Sequence, residues 1–436
     1  MTDPTAQEAI EAVWRLESTR LIAGLVRIVR DIGLAEDLAQ DALVAALAQW
    51  PESGVPDNPG AWLMTIAKRR GVDQFRRRDR QDQIYATLAH AQGNVVSEED
   101  FLAAVDHVDD DMLRLMFVCC HPVLTPEAQC TLTLKLVGGL STREIARAYL
   151  TTEATVAQRI VRAKRTLTEG GAALEEPNQA ERAQRLTTVL SVIYLLYNEG
   201  YSATAGSEWM RPTLCDEALR LGRILAALAP RDSEVHGLSA LMELQSSRLA
   251  ARVAEDGSPI LLLDQDRSRW DPTHIMRGLG ALDRAERLTT ELGPYALQAA
   301  IAACHARAEA AEATDWVRIA NLFERLARVT GSPVVEVNRA VALGLAYGPE
   351  AGLALLDQLD GLPALRGYHL LPSVRGDLLD KLGRRDEARA EFARAATLTQ
   401  NERERRLLLN RASGRSGGQA APNAARMCQQ PRPRQG

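Results

Sequence analysis

Apolar residues recur every three or four positions along most of this chain, and no convincing run of alternating β-branched residues interrupts them. Leu16, Ile22, Leu25 and Val29 follow helical spacing, and Leu38, Ala42, Leu43, Ala46 and Leu47 follow it again in the next segment. That period buries one stripe of a helix, whereas a sheet needs a period of two. The pattern predicts an all-α protein. With 436 residues and 46% hydrophobic composition, two or three helical domains are expected, each with its own core. No uncharged apolar run reaches the ~18 residues of a membrane span. The start, Met1-Thr2-Asp3-Pro4, lacks a basic stretch followed by an apolar one, so no secretory leader is expected. Six cysteines without a C-x-x-C pair suit a reducing cytoplasm better than a disulfide framework.

Punctuation and charge divide the chain further. Pro51, Gly54, Pro56, Pro59 and Gly60 mark a loop, and Asn58 before Pro59 suits an N-cap with a helix following from about Ala61. The formal net charge of -5 taken alone argues against a nucleic-acid binder, but the charges are segregated. Asp31 to Pro59 holds six acidic residues and no Lys or Arg. Lys68 to Arg80 holds seven basic residues against two acidic ones. Gln81 to Leu113 returns to eight acidic residues with no Lys or Arg, and reads as an acidic linker. The expected blocks are therefore 1–80, a linker over 81–109, 110–175, 176–310, 311–410 and a Gly/Pro/Ser/Gln-rich tail over 411–436 that is expected to be disordered.

The 311–410 block carries an internal repeat. Gly376, Gly383, Ala388, Phe392 and Ala395 fall at the spacings of a helix–turn–helix tetratricopeptide unit. Ala340, Gly352 and Leu356 form a degenerate copy about 36 residues earlier, and Phe323 is the large residue of a third, weaker one. Small residues let paired helices approach, and a short helical solenoid is the expected result.

Two segments carry chemistry. In the first, Leu140 to Leu150 is joined by Thr151-Thr152-Glu153-Ala154 to Thr155 through Arg165. Ser141 with Glu144 three residues on is a capping box. Ile145, Ala146, Val156 and Ile160 would pack two helices together, leaving Gln158, Arg159, Arg162 and Arg165 outward. This is helix-turn-helix grammar, and Arg and Gln are residues that read base edges bidentately. A solvated surface helix explains the arginines but not the capping box, turn and packing in register. In the second segment Trp62 precedes the cationic run Lys68 to Arg78; cations neutralise phosphates and aromatics stack on unpaired bases.

Together the segments resemble a known family. Glu36-Asp37-Leu38-Ala39-Gln40-Asp41, Trp50-Pro51 and Trp62-Leu63-x-x-Ile66-Ala67-x-x-Arg70-x-x-Asp73-x-x-Arg76-Arg77-Arg78 resemble domain 2 of the extracytoplasmic-function sigma factors. Leu140-Ser141-x-x-Glu144-Ile145-Ala146 and Thr155-Val156-x-x-Arg159-x-x-Arg162-Ala163 resemble their domain 4. Residues 175–410, with Val118-Cys119-Cys120-His121-Pro122 and Tyr197-Asn198-Glu199-Gly200-Tyr201, are similar to a subgroup whose C-terminal extension ends in tetratricopeptide-like repeats.

The resemblance implies roles. Glu36, Asp37, Gln40 and Asp41 would dock on the clamp helices of the largest subunit of core RNA polymerase. Lys68, Arg69 and Arg70 would form a short loop capturing a flipped base of the −10 element, with Trp62 in the helix beneath. Asp73 belongs to the same motif, and Arg76, Arg77 and Arg78 would contact phosphates. Arg69 departs from the asparagine common in the family. Thr155, Ala157, Gln158, Arg159 and Arg162 would face −35 promoter DNA, with Lys164 and Arg165 on phosphates. The linker would thread toward the RNA path. The extension would bind a regulatory protein or peptide. No cofactor, metal, membrane or catalytic activity is implied.

Other clusters carry less. Cys119, Cys120, His121 and Cys130 lack the spacing of a zinc site and read as packing. Asp264, Asp266, Arg267, Arg269, Trp270 and Asp271 read as a turn tying helices together through ion pairs. Asn198, Glu199 and Tyr201 either line a ligand pocket or satisfy a buried helix end. The rival functions are a helix-turn-helix regulator that binds DNA alone, with a solenoid sensor, and an enzyme or scaffold centred on residues 180–310.

Overall fold

The computed structural model describes residues 4–85, 108–149, 151–169, 179–201, 212–254, 260, 262–399 and 402–414. Among them it is all-α, without a β-strand, and it forms two compact units, Met1–Leu228 and Ala229–Gly436. No described helix is long and apolar enough to cross a membrane.

The first unit opens with α1 (Pro4–Val29), α2 (Ile32–Ser53) and α3 (Pro59–Tyr85), which pack together. Asp31 N-caps α2 by accepting from the Leu34 amide at 2.8 Å. Asn58 does the same for α3, accepting from the Ala61 amide at 3.0 Å. The α2 core stripe is Leu38, Ala39, Ala42, Ala46 and Trp50. Leu47, one residue beyond Ala46 and therefore about 100° round the helix, is exposed, and so is Leu16 on α1, although both share the apolar periodicity.

Next come α4 (Val108–Cys119), α5 (Pro126–Leu132), α6 (Thr142–Ala148) and α7 (Glu153–Glu169). Residues Thr133–Val137 close as a π-turn, with the Gly138 amide donating to the Thr133 carbonyl at 2.8 Å. A Cβ on Gly138 would sit 2.5 Å from the Leu134 carbonyl oxygen, so the turn demands glycine. Helices α8 (Gln179–Tyr201) and α9 (Pro212–Leu228) complete the unit by packing on each other and on α4; α8 also packs on α5. Arg220 of α9 donates to the Val137 and Gly138 carbonyls at 3.1 and 2.9 Å, satisfying groups the turn leaves without helical partners. Tyr197 and Tyr201 are buried and stack at 5.6 Å. Gly200 lets α8 and α9 touch: a Cβ there would meet the Cys215 amide nitrogen at 2.7 Å. The Asn198–Tyr201 segment is thus a packed helix end.

The second unit is a series of helix pairs: α10 (Ser233–Ser246), α11 (Pro272–Leu288), α12 (Pro294–Arg307), α13 (Trp316–Thr330), α14 (Pro333–Tyr347), α15 (Pro349–Leu359), α16 (Leu370–Lys381), α17 (Arg385–Leu398) and α18 (Glu402–Ala412). Most pack mainly on their chain neighbours, while α10 packs on both α11 and α12, the pattern of a tetratricopeptide-like solenoid. The small residues of the repeat have the expected purpose. A Cβ on Gly376 would meet the Phe392 ring at 2.7 Å, and one on Gly352 would meet the Ala340 carbonyl at 2.5 Å. Gly383 turns the chain at φ +74. Phe392 fills the space inside the α16–α17 pair, and Arg411 of α18 lies over its ring at 4.0 Å.

The Asp264–Asp271 segment ties helices together by a different chemistry from the ion pairs expected. Asp266 and Asp271 act as caps, accepting from the Ser268 amide at 3.0 Å and the Thr273 amide at 2.7 Å. Arg267 donates to the His305 and Ala308 carbonyls, both at 2.6 Å, and Arg269 donates to the Ala250 carbonyl. Guanidinium groups reach loose carbonyls here because helix ends leave them without partners.

His305 is buried against Trp316, and among the described residues neither ring nitrogen has a hydrogen-bond partner. Burial, reinforced by Arg248 and Arg267, pushes its pKa down to about 3. The folded state therefore binds fewer protons than the unfolded one between about pH 6.5 and 3. Stability from this group is complete above pH 6.5 and falls with acidification by up to about 1.4 kcal/mol per pH unit. Asp377 acts oppositely: burial pushes its carboxyl up to about 6 despite Arg411, so it favours folding as pH falls from 6 to 4. Comparing His305→Met with the wild type isolates the first effect. Thermal melts from pH 7.5 to 5 should show the wild type losing about 2 kcal/mol more than the variant. Parallel curves would refute the assignment.

Candidate nucleic-acid interface

The helix-turn-helix is built as its sequence requires. Ser141 and Glu144 close the capping box reciprocally, with the Glu144 amide donating to Ser141 Oγ at 3.2 Å and the Ser141 amide donating to Glu144 Oε2 at 2.8 Å. Ile145, Ala146, Val156 and Ile160 are buried where α6 meets α7. Thr152 caps α7, accepting from the Thr155 amide at 3.1 Å.

That packing fixes which side chains of α7 face outward. Thr155, Ala157, Gln158, Arg162 and Arg165 are exposed. Arg159 is turned partly inward and donates to Thr131 Oγ1 of α5 at 3.4 Å. Lys164 is half-buried in an ion pair with Glu36 of α2. Those two were expected on the DNA-facing side; the structure gives both internal partners. Val161, not singled out from the sequence, is 63% exposed on the outward face. Its signal is a β-branched apolar residue three positions after Gln158, where the other large apolar residues of the helix, Val156, Ile160 and Leu167, are buried. An aliphatic side chain there suits contact with a thymine methyl.

On α2, Asp37, Gln40 and Asp41 are exposed along one stripe, which continues into Val44 and Leu47. Sequence reasoning missed these last two, since on an acidic helix they read as core. Glu36 is set apart from the stripe by its contact with Lys164.

On α3, Trp62 is half-buried against Trp50, ring centroids 5.2 Å apart. Trp62, Thr65, Arg69 and Asp73 fall on one face of the helix, and Arg69, Arg70 and Asp73 are exposed while Lys68 is partly buried. Lys68 to Arg70 do not form the expected loop: α3 runs through them without a break. Lys and Arg favour helix, and Gly71 is buried, so its flexibility opens no turn. The backbone of Arg76, Arg77 and Arg78 continues α3, while their side chains lie outside the described residues. Most of the acidic linker, residues 86–107, and the tail from 415 also lie outside.

Cys119, Cys120 and Cys130 are buried thiols, and burial pushes Cys120 and Cys130 up to about 12, which keeps them protonated. Among the described residues no group of three His, Cys, Asp or Glu is placed to hold a metal.

Known families match along this arrangement. Sigma-70 region 2 matches residues 6–81, Sigma-70 region 4 matches 114–167, and a family of unknown function, DUF6596, matches 185–286. Uncharacterized protein R00370 of Rhizobium meliloti (strain 1021) is 43% identical over 388 residues, covering 88% of this chain and 90% of that one. The probable ECF RNA polymerase sigma factor SigI of Mycobacterium tuberculosis (strain ATCC 25618 / H37Rv) is 31% identical over 39% of this chain and 59% of its own length. The ECF RNA polymerase sigma factor SigK of Mycobacterium ulcerans (strain Agy99) is 28% identical over 34% of this chain and 78% of its own. A crystal structure of yeast Tom70 aligns with 94% of this chain and 84% of its own at a TM-score of 0.34 and 11% identity, too remote to carry an argument. With both sigma-70 regions in order and a helical extension behind them, the chain belongs to the extracytoplasmic-function sigma factors of the sigma-70 family that carry a C-terminal tetratricopeptide-like extension.

Proposed function

We propose that this chain binds core RNA polymerase, directs it to promoters with −35 and −10 elements, and helps open the −10 element. One observation carries the reading: a single compact unit presents an acidic stripe, a cationic helix and a helix-turn-helix with Gln158, Arg162 and Arg165 exposed. The acidic residues Glu36, Asp37 and Asp41, with the amide of Gln40 between them, suit docking on a basic partner surface. Trp62, Lys68, Arg69, Arg70, Asp73 and Arg76 to Arg78 serve the −10 strand, where capturing a flipped base stabilises melted DNA. Thr155, Ala157, Gln158 and Arg162 read −35 bases, with Arg159, Lys164 and Arg165 nearer phosphate. RNA synthesis itself belongs to the polymerase, and the chain works beside it in the cytoplasm without catalysis of its own. The extension regulates this through a surface for a protein or peptide.

The test is promoter-dependent transcription with purified core polymerase. The protein should yield specific transcripts from templates selected for −35/−10 motifs. Specific binding to duplex promoter without polymerase, and no transcript, would replace the proposal with a stand-alone regulator. A chain ending at Leu228 keeps α8 and α9 on α4 and tests the extension; activity equal to the full chain would remove its regulatory role.

A further inference from the structure

In the second unit, helices α15, α16 and α17 frame a cavity of about 280 Å³. Pockets for whole small molecules run to roughly 300–1,000 Å³, so this one suits a single long side chain. Leu353 of α15, Leu379 of α16 and Ala390 of α17 give it apolar walls. Its polar lining is charged and mostly paired with itself. Arg375 of α16 donates to the Asp357 carboxylate and, at 3.1 Å, to the Leu356 carbonyl. Arg384 donates to both carboxylate oxygens of Glu387, at 2.7 and 2.6 Å. Glu391 is the exception. Its side chain is only 20% exposed, and its ion-pair partner Arg394 stands off at 3.6 Å. Its buried Oε2 accepts no hydrogen bond among the described residues. Burial pushes the carboxyl up against the pull of Arg394 and Arg375, and Asp360 adds to the rise. A carboxylate with unused acceptor capacity beside an apolar wall offers a place for a guanidinium.

The chain carries such a group. Residues 415–436, outside the described residues, hold four arginines (Arg415, Arg426, Arg432 and Arg434) and no acidic residue. Arg426 is set among apolar neighbours, with Ala424-Ala425 before it and Met427 after it, whereas Arg432 and Arg434 alternate with prolines. We propose that this tail docks in cis on the cavity, with Arg426 inserted between Leu353 and Leu379 and its guanidinium on Glu391. The aliphatic stem of the arginine covers the leucines while its head meets the carboxylate. The resident arginines leave room for another cation. Four carboxylates, Asp357, Asp360, Glu387 and Glu391, face three guanidiniums, Arg375, Arg384 and Arg394, which leaves one negative charge unmatched.

The reach suffices. Gly414 lies against α17, since a Cβ there would meet the Arg389 guanidinium at 2.9 Å. Arg389 is two residues before Glu391, so the two point to opposite faces of α17, across a helix about 10–12 Å wide. The twelve residues from Gly414 to Arg426 span up to about 40 Å when extended. A short tether also holds the tail at an effective concentration in the millimolar range, so one anchored side chain is enough to favour the docked state. The inference deepens the peptide-binding role proposed for the extension and rests on it for its regulatory meaning: a partner segment of the same chemistry, an arginine among aliphatics, has to displace the tail. The docking itself is a property of the free chain.

The experiment uses the full chain. Cys428 lies two residues beyond Arg426 and the other five cysteines are buried, so the tail takes a spin label without further change. Ala393→Cys, exposed and on the opposite face of α17 from Glu391, takes the second. The pair should give one narrow distance of roughly 20 Å, a helix diameter plus two extended residues. Glu391→Gln and Arg426→Gln should each broaden it and lower the ratio of docked to free tail about tenfold or more. Arg432→Gln should leave it as it is. Arg426 lies outside every described helix, so its substitution separates lost docking from lost folding. A broad distribution in the parent chain, or a narrow one that survives both substitutions, would overturn the proposal. A distance seen between copies labelled only at Cys428 and copies labelled only at position 393, and not within one chain, would give the cavity to a second copy and overturn it as well. Should docking hold while the extension has no effect on transcription, the regulatory role fails and the cavity keeps its occupant.

Discussion

A polymerase complex formed with Gln158→Ala and Arg162→Ala together is expected to lose its −35 preference by about 30-fold or more. Both side chains are exposed on the outward face of α7 without a structural task in the packing of α6 on α7. A bidentate base contact gives about 1–3 kcal/mol of discrimination, and two such losses fall in the range of 2–6 kcal/mol. Each 1.4 kcal/mol is tenfold. The measurement is competition between the selected promoter and one with a scrambled −35 element. Arg159→Ala is the internal contrast. Its guanidinium is engaged with Thr131, so it should lower melting temperature more than it lowers preference. An unchanged promoter ratio in the double variant would place the reading face elsewhere.

Gly237→Val should abolish cooperative folding of the second unit. A Cβ at Gly237 would meet the backbone nitrogen of Ala296 at 2.6 Å and its Cα at 2.8 Å, so α10 and α12 touch backbone to backbone. Nothing flexible can yield there; the helices themselves must separate. They also share Glu234, which accepts from the Tyr295 and Ala296 amides at 2.8 and 3.1 Å and so caps α12. Overpacking typically costs about 1–3 kcal/mol and more where, as at this crossing, backbone meets backbone, and the lost cap adds about 1 kcal/mol. Limited proteolysis should then cut the second unit while the first stays intact. A variant that resists protease as the wild type does would show that the crossing tolerates a side chain.

Local rules made much of this legible. The capping box of Ser141 and Glu144, the Asn58 cap and the Gly376/Phe392 pairing depend on residues close in sequence, or on volumes that follow from residue type. What the sequence withheld was mostly long-range. Lys164 and Glu36 are both ordinary surface residues by type, and only the packing of α4 on α1 brings them together. Arg220 looks solvated until the π-turn presents two carbonyls to it. The Asp264–Asp271 cluster was legible as a tie, but not in its bonding, because Arg267 reaches carbonyls about 40 residues away. The loop over Lys68 to Arg70 came from the resemblance, and the residues' own helix preference prevailed.

The division of α7 between inward and outward groups bears on how promoter choice can diverge. Arg159 and Lys164 are tethered by Thr131 and Glu36, so changing either disturbs the scaffold. Ala157, Gln158, Val161 and Arg162 have no such tether among the described contacts, and form a small palette that can be recombined without refolding. A library randomised at those four positions should yield many soluble variants with new −35 preferences. One randomised at 159 and 164 should yield mostly unstable ones. Orthogonal promoter sets are therefore to be sought in a four-residue alphabet on one side of a single helix.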